Sequence, residues 1–315
     1  KDFEIELKKI KLILEKFRLK LNIRTIGSKF KSRNQTIEIE SIKTQILLRS
    51  LFNNKFSIKN LYISTESVDI KNLISFLRSI QNTPELFILE KIMKKGDLIA
   101  DIKVEFDSEG KVKDNFTING FIKEAKLNLL KKYNIDKLNL LFKYEKDKLF
   151  FTDIQFFLNE LNLGSKELTI KKIKNDFIIR GNIDHKNIDL NQKNLDLFIK
   201  PFISIFNIKK LIFNSKNNFS FKLNKKLQFK NLEIDSEILI DKFVVINDLN
   251  LKNFFPTVQK DISFSNNRLS LSYKKDDFLI SGNGNILLQK KNDFISFNFK
   301  KKNGNLNFKT SLKVK

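Results

Sequence analysis

Apolar residues in this chain recur at every second position, run after run. Ile102, Val104 and Phe106 alternate with Lys103 and Glu105, and Phe116 and Ile118 lead across Gly120 to Ile122. Leu138, Leu140 and Phe142 alternate with Asn139 and Lys143, although Leu141 interrupts the polar side. The pattern returns in Ile154, Phe156 and Leu158; in Phe219, Phe221 and Leu223; in Leu269, Leu271 and Tyr273; and in Ile295, Phe297 and Phe299. Successive side chains on a strand point to opposite faces, so each run has one apolar and one polar side. Parallel strands buried on both faces would read as continuous apolar runs. A mainly β fold of antiparallel strands with one solvated face is therefore expected.

Turn signals separate the runs: Asp107 to Gly110, Glu145 to Lys148, Lys174 to Asp176, Ser215 to Asn218, Ser265 to Asn267, Lys274 to Asp277 and Lys302 to Asn305. Their spacing, roughly ten residues, is that of consecutive hairpins. With nine Gly and three Pro in the chain, Asn and Asp must make most of the turns, because they tolerate positive φ. No Gly-rich or Ser-rich linker occurs, so residues 1–315 read as one continuous sheet. A weak internal repeat relates residues 100–183 to 215–288. It shows best where Asp176-Phe177-Ile178-Ile179-Arg180-Gly181-Asn182 resembles Asp277-Phe278-Leu279-Ile280-Ser281-Gly282-Asn283, and a repeated strand block implies growth by stacking of similar units.

Short helices are expected near residues 70–95 and 195–206. Asp69 is placed to cap a helix from Ile70 to Ile80, with Leu73, Ile74, Leu77 and Ile80 on one stripe. Thr83-Pro84-Glu85 is a start signal for a second, and Gly96 after Lys94-Lys95 a stop. A third apolar stripe runs through Leu195, Phe198, Ile199, Phe202, Ile203 and Phe206, with Pro201 breaking or restarting it. Each stripe is expected to plug an open end or edge of the sheet.

Composition removes most chemistry. No Cys and one His are present, which excludes disulfides, cysteine nucleophiles and multi-histidine metal sites. His185 is expected in a polar surface loop, with no nucleophile or carboxylate marked as its partner. Asp276-Asp277 falls in a turn, and Gly282-Asn283-Gly284 reads as a bulge or strand bend rather than a dinucleotide loop. No enzyme activity, metal or cofactor is expected. The 60 Lys and Arg against 36 acidic residues give a net charge of +24, yet Lys supplies nearly all of it. A phosphate reader would favour the bidentate guanidinium, so nucleic acid is not the expected partner. No run of 18 apolar residues exists, so nothing here spans a bilayer as a helix. The chain starts at Lys1 and reads as part of something longer, with any anchor outside it.

The informative excess is 32 Phe against four Tyr and no Trp. Phe placed repeatedly on one side of many strands makes a wide apolar sheet face. Such a face is buried either by folding into a sandwich or by curling into a groove that carries apolar ligands. The alternation alone leaves both open.

The stretch from Ser57 to Ile74 (SIKNLYISTESVDIKNLI), preceded by a strand through Ile42, Ile46, Leu48, Leu51 and Phe52, resembles the AsmA-like family, of the YhdP and TamB type. Phe116 to Ile122 and Phe177 to Ile183 are similar to that family's recurring strand ending in a glycine and an Ile. The resemblance implies an elongated, twisted antiparallel sheet curled into an open hydrophobic groove, with no catalytic residues. It implies a periplasmic protein anchored in the inner membrane through a segment outside these residues, in an envelope that also has an outer membrane. Its partners would be phospholipid and the two membranes, and its role phospholipid transfer and outer-membrane integrity. The groove lining would be Ile102, Val104, Phe106, Phe116, Ile118, Leu138, Leu140, Phe142, Ile154, Phe156, Leu158, Phe219, Phe221, Leu223, Leu269 and Leu271. An adaptor β-sandwich that binds another protein, and a basic scaffold for a polyanion, are the alternative readings.

Overall fold

The computed structural model describes residues 3–48, 58–129, 131–174, 176–201, 207–224, 228–247 and 256–314. Strands hold 73% of the chain and helices 11%, so the fold is mainly β, as the alternation requires. Every pairing between named strands is antiparallel. The chain divides into two compact units, Lys1–Glu160 and Leu161–Lys315.

The first unit contains β1 (Phe3–Glu6), β2 (Lys9–Glu15), β3 (Lys20–Ser32), β4 (Gln35–Leu47), β5 (Ile58–Thr65) and β6 (Val68–Asp69). Helices α1 (Ile70–Ile80) and α2 (Pro84–Ile92) follow, and then β7 (Met93–Glu105), β8 (Thr117–Leu129), β9 (Tyr133–Glu145) and β10 (Lys148–Leu158). β1 and β2 pair with successive halves of β3, and β5 and β6 both pair with β7. Asp69 caps α1, its carboxylate accepting from the Asn72 N–H at 2.8 Å. Thr83 caps α2, with Pro84 in the first turn. α1 lies on the apolar face of the sheet: Phe76 packs with Ile37, Ile39 and Val68, and Ile70 and Ile74 with Met93 and Ala125. α2 buries no residue and is held to α1 by the Arg78–Glu90 ion pair and by Ser75 donating to Glu90 at 3.0 Å.

The second unit is a meander of eight strands in chain order: β11 (Leu161–Ile173), β12 (Asp176–Asp189), β13 (Asn207–Asn224), β14 (Phe229–Ile246), β15 (Asp261–Lys274), β16 (Asp277–Leu287), β17 (Asn292–Lys302) and β18 (Asn305–Lys313). Its two ends differ. The β15–β16 and β17–β18 turns are two residues long and use left-handed backbone at Lys275-Asp276 and Asn303-Gly304, the conformation that matches strand twist in tight hairpins. The connections at the opposite end are longer. Leu190, Leu195, Ile208, Val245, Val258, Ile262 and Ile286 are all buried at that end.

Mid-strand bulges re-phase the alternation. Register shifts fall at Ile122/Ala125, Thr152/Gln155, His185/Ile188 and Ser265/Arg268. A non-glycine residue with positive φ sits in each: Glu124, Asp153, Asn187 and Asn266. Such residues cost of order 1 kcal/mol or more, and a bulge also frees a backbone donor from the ladder. Asparagines on neighbouring strands accept two of those donors: Asn139 from Glu124 N–H at 3.0 Å, and Asn214 from Asn187 N–H at 2.9 Å. The extra residue keeps Ile122 and Ala125, or His185 and Ile188, on one face although their spacing is three.

Several local expectations are corrected. Ser215 to Asn218 lies inside β13, and Ser265 to Asn267 is a bulge inside β15, not a turn. Ser215 and Asn217 look like turn residues but are held in the strand by its pairing on both sides with β12 and β14. Gly96 does not stop a helix: α2 ends at Ile92 and Gly96 is in β7, where an added Cβ would lie 2.7 Å from Ala125. The third stripe forms only a three-residue helical turn, α3 (Gln192–Asn194), and a π segment over Leu195–Ile199; residues 202–206 lie outside the described residues. His185 is in β12 and not in a loop.

Candidate apolar binding face

In the second unit the register aligns one residue from each of six strands in a single row: His185, Ser215, Ile238, Leu269, Gly282 and Phe297. The next row toward the tight-turn end is Ile183, Asn217, Ser236, Leu271, Ile280, Phe299 and Phe308, followed by Gly181, Phe219, Ile234, Tyr273 and Phe278. The rows between them point the other way and are polar: Asp184, Lys216, Glu237, Ser270, Ser281 and Asn298 form one. One face is therefore apolar with a polar centre, and the other is hydrophilic. Phe219, Phe221, Leu223, Leu269 and Leu271 all fall on the apolar face.

The first unit repeats this. Ile102 pairs with Ile63 and Ile118, Val104 with Leu61, Leu140 with Ile122, and Leu138 with Ala125. Phe142 pairs with Gly120 and Phe151. The Asp153 bulge returns Ile154, Phe156 and Leu158 to the face of Phe142. Phe106 lies just past β7 in an isolated bridge to Val112. Phe116 precedes β8, its ring 5.2 Å from that of Tyr144.

Glycines shape this face in a specific way. Gly120, Gly181 and Gly282 pair directly with Phe142, Phe219 and Phe297. In each case the partner's ring carbon would lie within 3.1 Å of an added Cβ. The aromatic ring is laid across the glycine, filling the gap that the missing side chain leaves. This pairing gives the repeated Phe-x-Ile-x-Gly pattern at Phe116, Phe177 and Phe278 a physical meaning.

Of the sixteen residues expected to line a groove, only Ile154 is buried; the other fifteen are half-buried.

His185 stands on the apolar face, its Nδ1 2.7 Å from Ser215 Oγ and 3.3 Å from Asn217 Nδ2, edge-on to Phe213. Burial pushes the imidazole below its ordinary pKa, and Asp184 pulls it partly back. Asn267, also on this face, donates to the carbonyls of Ser265 and Asn285. A cavity of about 940 Å³ crosses β12 to β17 at this level, lined by the His185–Phe297 row and by flanking charged residues that include Lys186, Lys216, Glu237 and Arg268. The Ser215 hydroxyl and the His185 imidazole are thus within hydrogen-bond reach of each other, with Asn217 as the third polar group beside them. Among the described residues no group of three or more His, Asp or Glu is placed to hold a metal. No described helix is long and apolar enough to cross a membrane.

The register adds Ile238, Phe278, Ile280, Phe297 and Phe299 to the face. Their alternation is visible in the sequence, but their alignment with Leu269 and Leu271 is not. The polar centre of His185, Ser215, Ser236 and Asn267 has no local signal at all. Compared with known proteins, the chain matches no family model, no curated protein and no solved structure at a significant level.

Proposed function

We propose that the chain is a noncatalytic lipid-binding protein that holds phospholipid acyl chains on the apolar face of its sheet and passes them along it. The observation that carries this reading is the partial exposure of the Phe, Ile and Leu rows. An acyl chain gains about 0.8 kcal/mol for each methylene it buries, with no specific contact required, and a row of Phe and Leu reached by solvent supplies that surface. The polar opposite face keeps such a sheet in water. On this reading the chain works in the manner of the AsmA-like proteins that its sequence resembles. It would stand in the periplasm, attached to the inner membrane by a segment outside these residues and serving the outer membrane.

The test is lipid content. Protein purified from a bacterial host and examined by native mass spectrometry should carry phospholipid, and should bind a fluorescent fatty-acyl probe after delipidation. Lipid-free protein that also ignores the probe refutes the reading.

A further inference from the structure

At the tight-turn end of the second unit the apolar face meets a cluster of lysines. Phe278, Phe299 and Phe308 form a ladder across β16, β17 and β18, with ring centroids 5.9 and 6.5 Å apart. The ladder runs to the edge strand, where Phe308 is 71% exposed. One rung beyond Phe299 the chain reads Lys300-Lys301-Lys302. Alternation puts Lys301 on the face of Phe299, directly across from Phe278 and Leu306. Lys300 and Lys302 point to the other side of the rim. With Ser272, Lys274, Asp277, Phe278 and Leu279 the three lysines line a small cavity of about 110 Å³.

Two acids in the adjoining turn offset part of this charge. Asp276 accepts from the Tyr273 hydroxyl at 3.0 Å, and Asp277 from the Asn303 N–H at 3.1 Å. Lys274 is tied to Glu233 at 3.2 Å. Among the described residues, Lys300, Lys301 and Lys302 form no ion pair. At the opposite end of the unit Lys209 pairs with Asp261 and Lys210 with Asp189.

We propose that this corner is a headgroup site for anionic phospholipid, the phosphate held at the rim in the cavity that Lys300, Lys301 and Lys302 share, while an acyl chain lies on the Phe278–Phe299–Phe308 ladder on the side of Lys301. This rests on the acyl-binding reading above and adds the class of lipid and the place of entry. Charge complementarity selects the occupant: three free ammonium groups favour a lipid of net negative charge over a zwitterionic one, and the attraction falls with salt. A bare polyanion would use the lysines and leave the aromatic ladder idle.

The test is binding of full-length protein to short-chain fluorescent phosphatidylglycerol and phosphatidylcholine at low salt, with glycerol phosphate and a DNA duplex as competitors. Wild-type protein should prefer phosphatidylglycerol by about tenfold. The Lys300→Gln, Lys301→Gln, Lys302→Gln variant should lose that preference and keep its phosphatidylcholine affinity, since all three side chains are exposed. Neither competitor should displace the lipid at matched phosphate concentration. Equal binding of the two lipids, or a preference that survives the triple substitution, overturns the headgroup site and leaves the acyl reading standing. Displacement by DNA alone assigns the lysines to a polyanion and also overturns it. Binding of neither lipid overturns both.

Discussion

Replacing Leu269 and Leu271 together by Asp separates an open apolar face from a closed core. Both leucines point to the apolar side of β15, opposite Ile238 and Ser236 on one strand and Gly282 and Ile280 on the other. Both are half-buried. Fully burying a leucine is worth about 1.5–3 kcal/mol, so losing two half-buried ones costs about 1.5–3 kcal/mol. The new carboxylates stay in contact with water and avoid the several-kcal/mol desolvation cost that each would meet in a sealed interior. The sum lies within the 5–15 kcal/mol by which domains are typically stable. The variant should keep its far-ultraviolet circular dichroism and a cooperative thermal transition. It should lose the acyl probe, because a charged centre interrupts the apolar track. As a control, Ser270→Asp with Ser272→Asp on the opposite face should leave both folding and probe binding unchanged. A double leucine variant that fails to fold means that these rows form a closed core. One that folds and binds the probe normally means that the face does not carry the lipid.

Gly120→Ala should destabilise the first unit by about 1–3 kcal/mol, the range for overpacking. Its Cβ would lie 2.2 Å from the Ile99 carbonyl oxygen and 2.8 Å from the Phe142 ring. Gly304→Ala, where nothing lies within 4 Å but φ is +81°, should cost only the backbone strain of about 1 kcal/mol; denaturant midpoints compare the two. His185 has a folded-state pKa below the ordinary 6.5, so the unfolded chain takes up its proton first as pH falls. Stability should be full above about pH 6.5 and decline below it, and His185→Gln should remove that part of the pH dependence; an unchanged slope in urea titrations across this range refutes the assignment. Asp69→Ala should cost about 1 kcal/mol through loss of the α1 cap, measured by chemical denaturation, with Asp69→Asn restoring most of it.

What could be read without the structure was whatever depends on a few consecutive residues. Strand runs such as Leu138-Leu140-Phe142 show in the sequence because alternation is a property of one extended segment. The turns at Lys146-Asp147 and Asn303-Gly304 show because left-handed backbone selects Asn, Asp and Gly. The start of α1 shows because Asp69 caps it through a contact only three residues away. The tertiary structure decided everything that needs a partner strand. Ser215 and Asn217 have the composition of a turn, and only pairing with β12 and β14 holds them extended. Gly96 has the position of a helix stop, and only Ala125, far along the chain, explains why it is a strand glycine. The bulges at Glu124, Asp153, Asn187 and Asn266 break the local period, yet they keep the apolar rows on one face because a single extra residue inverts the alternation. Register then aligns His185, Leu269 and Phe297, the first and last of them more than a hundred positions apart, into one row. Coverage sets how much of each apolar face meets solvent: in the first unit α1 packs on Ile37, Ile39, Met93 and Ala125, and in the second Leu195, Val258 and Ile262 are buried at one end of the strands while Phe308 near a two-residue turn is exposed.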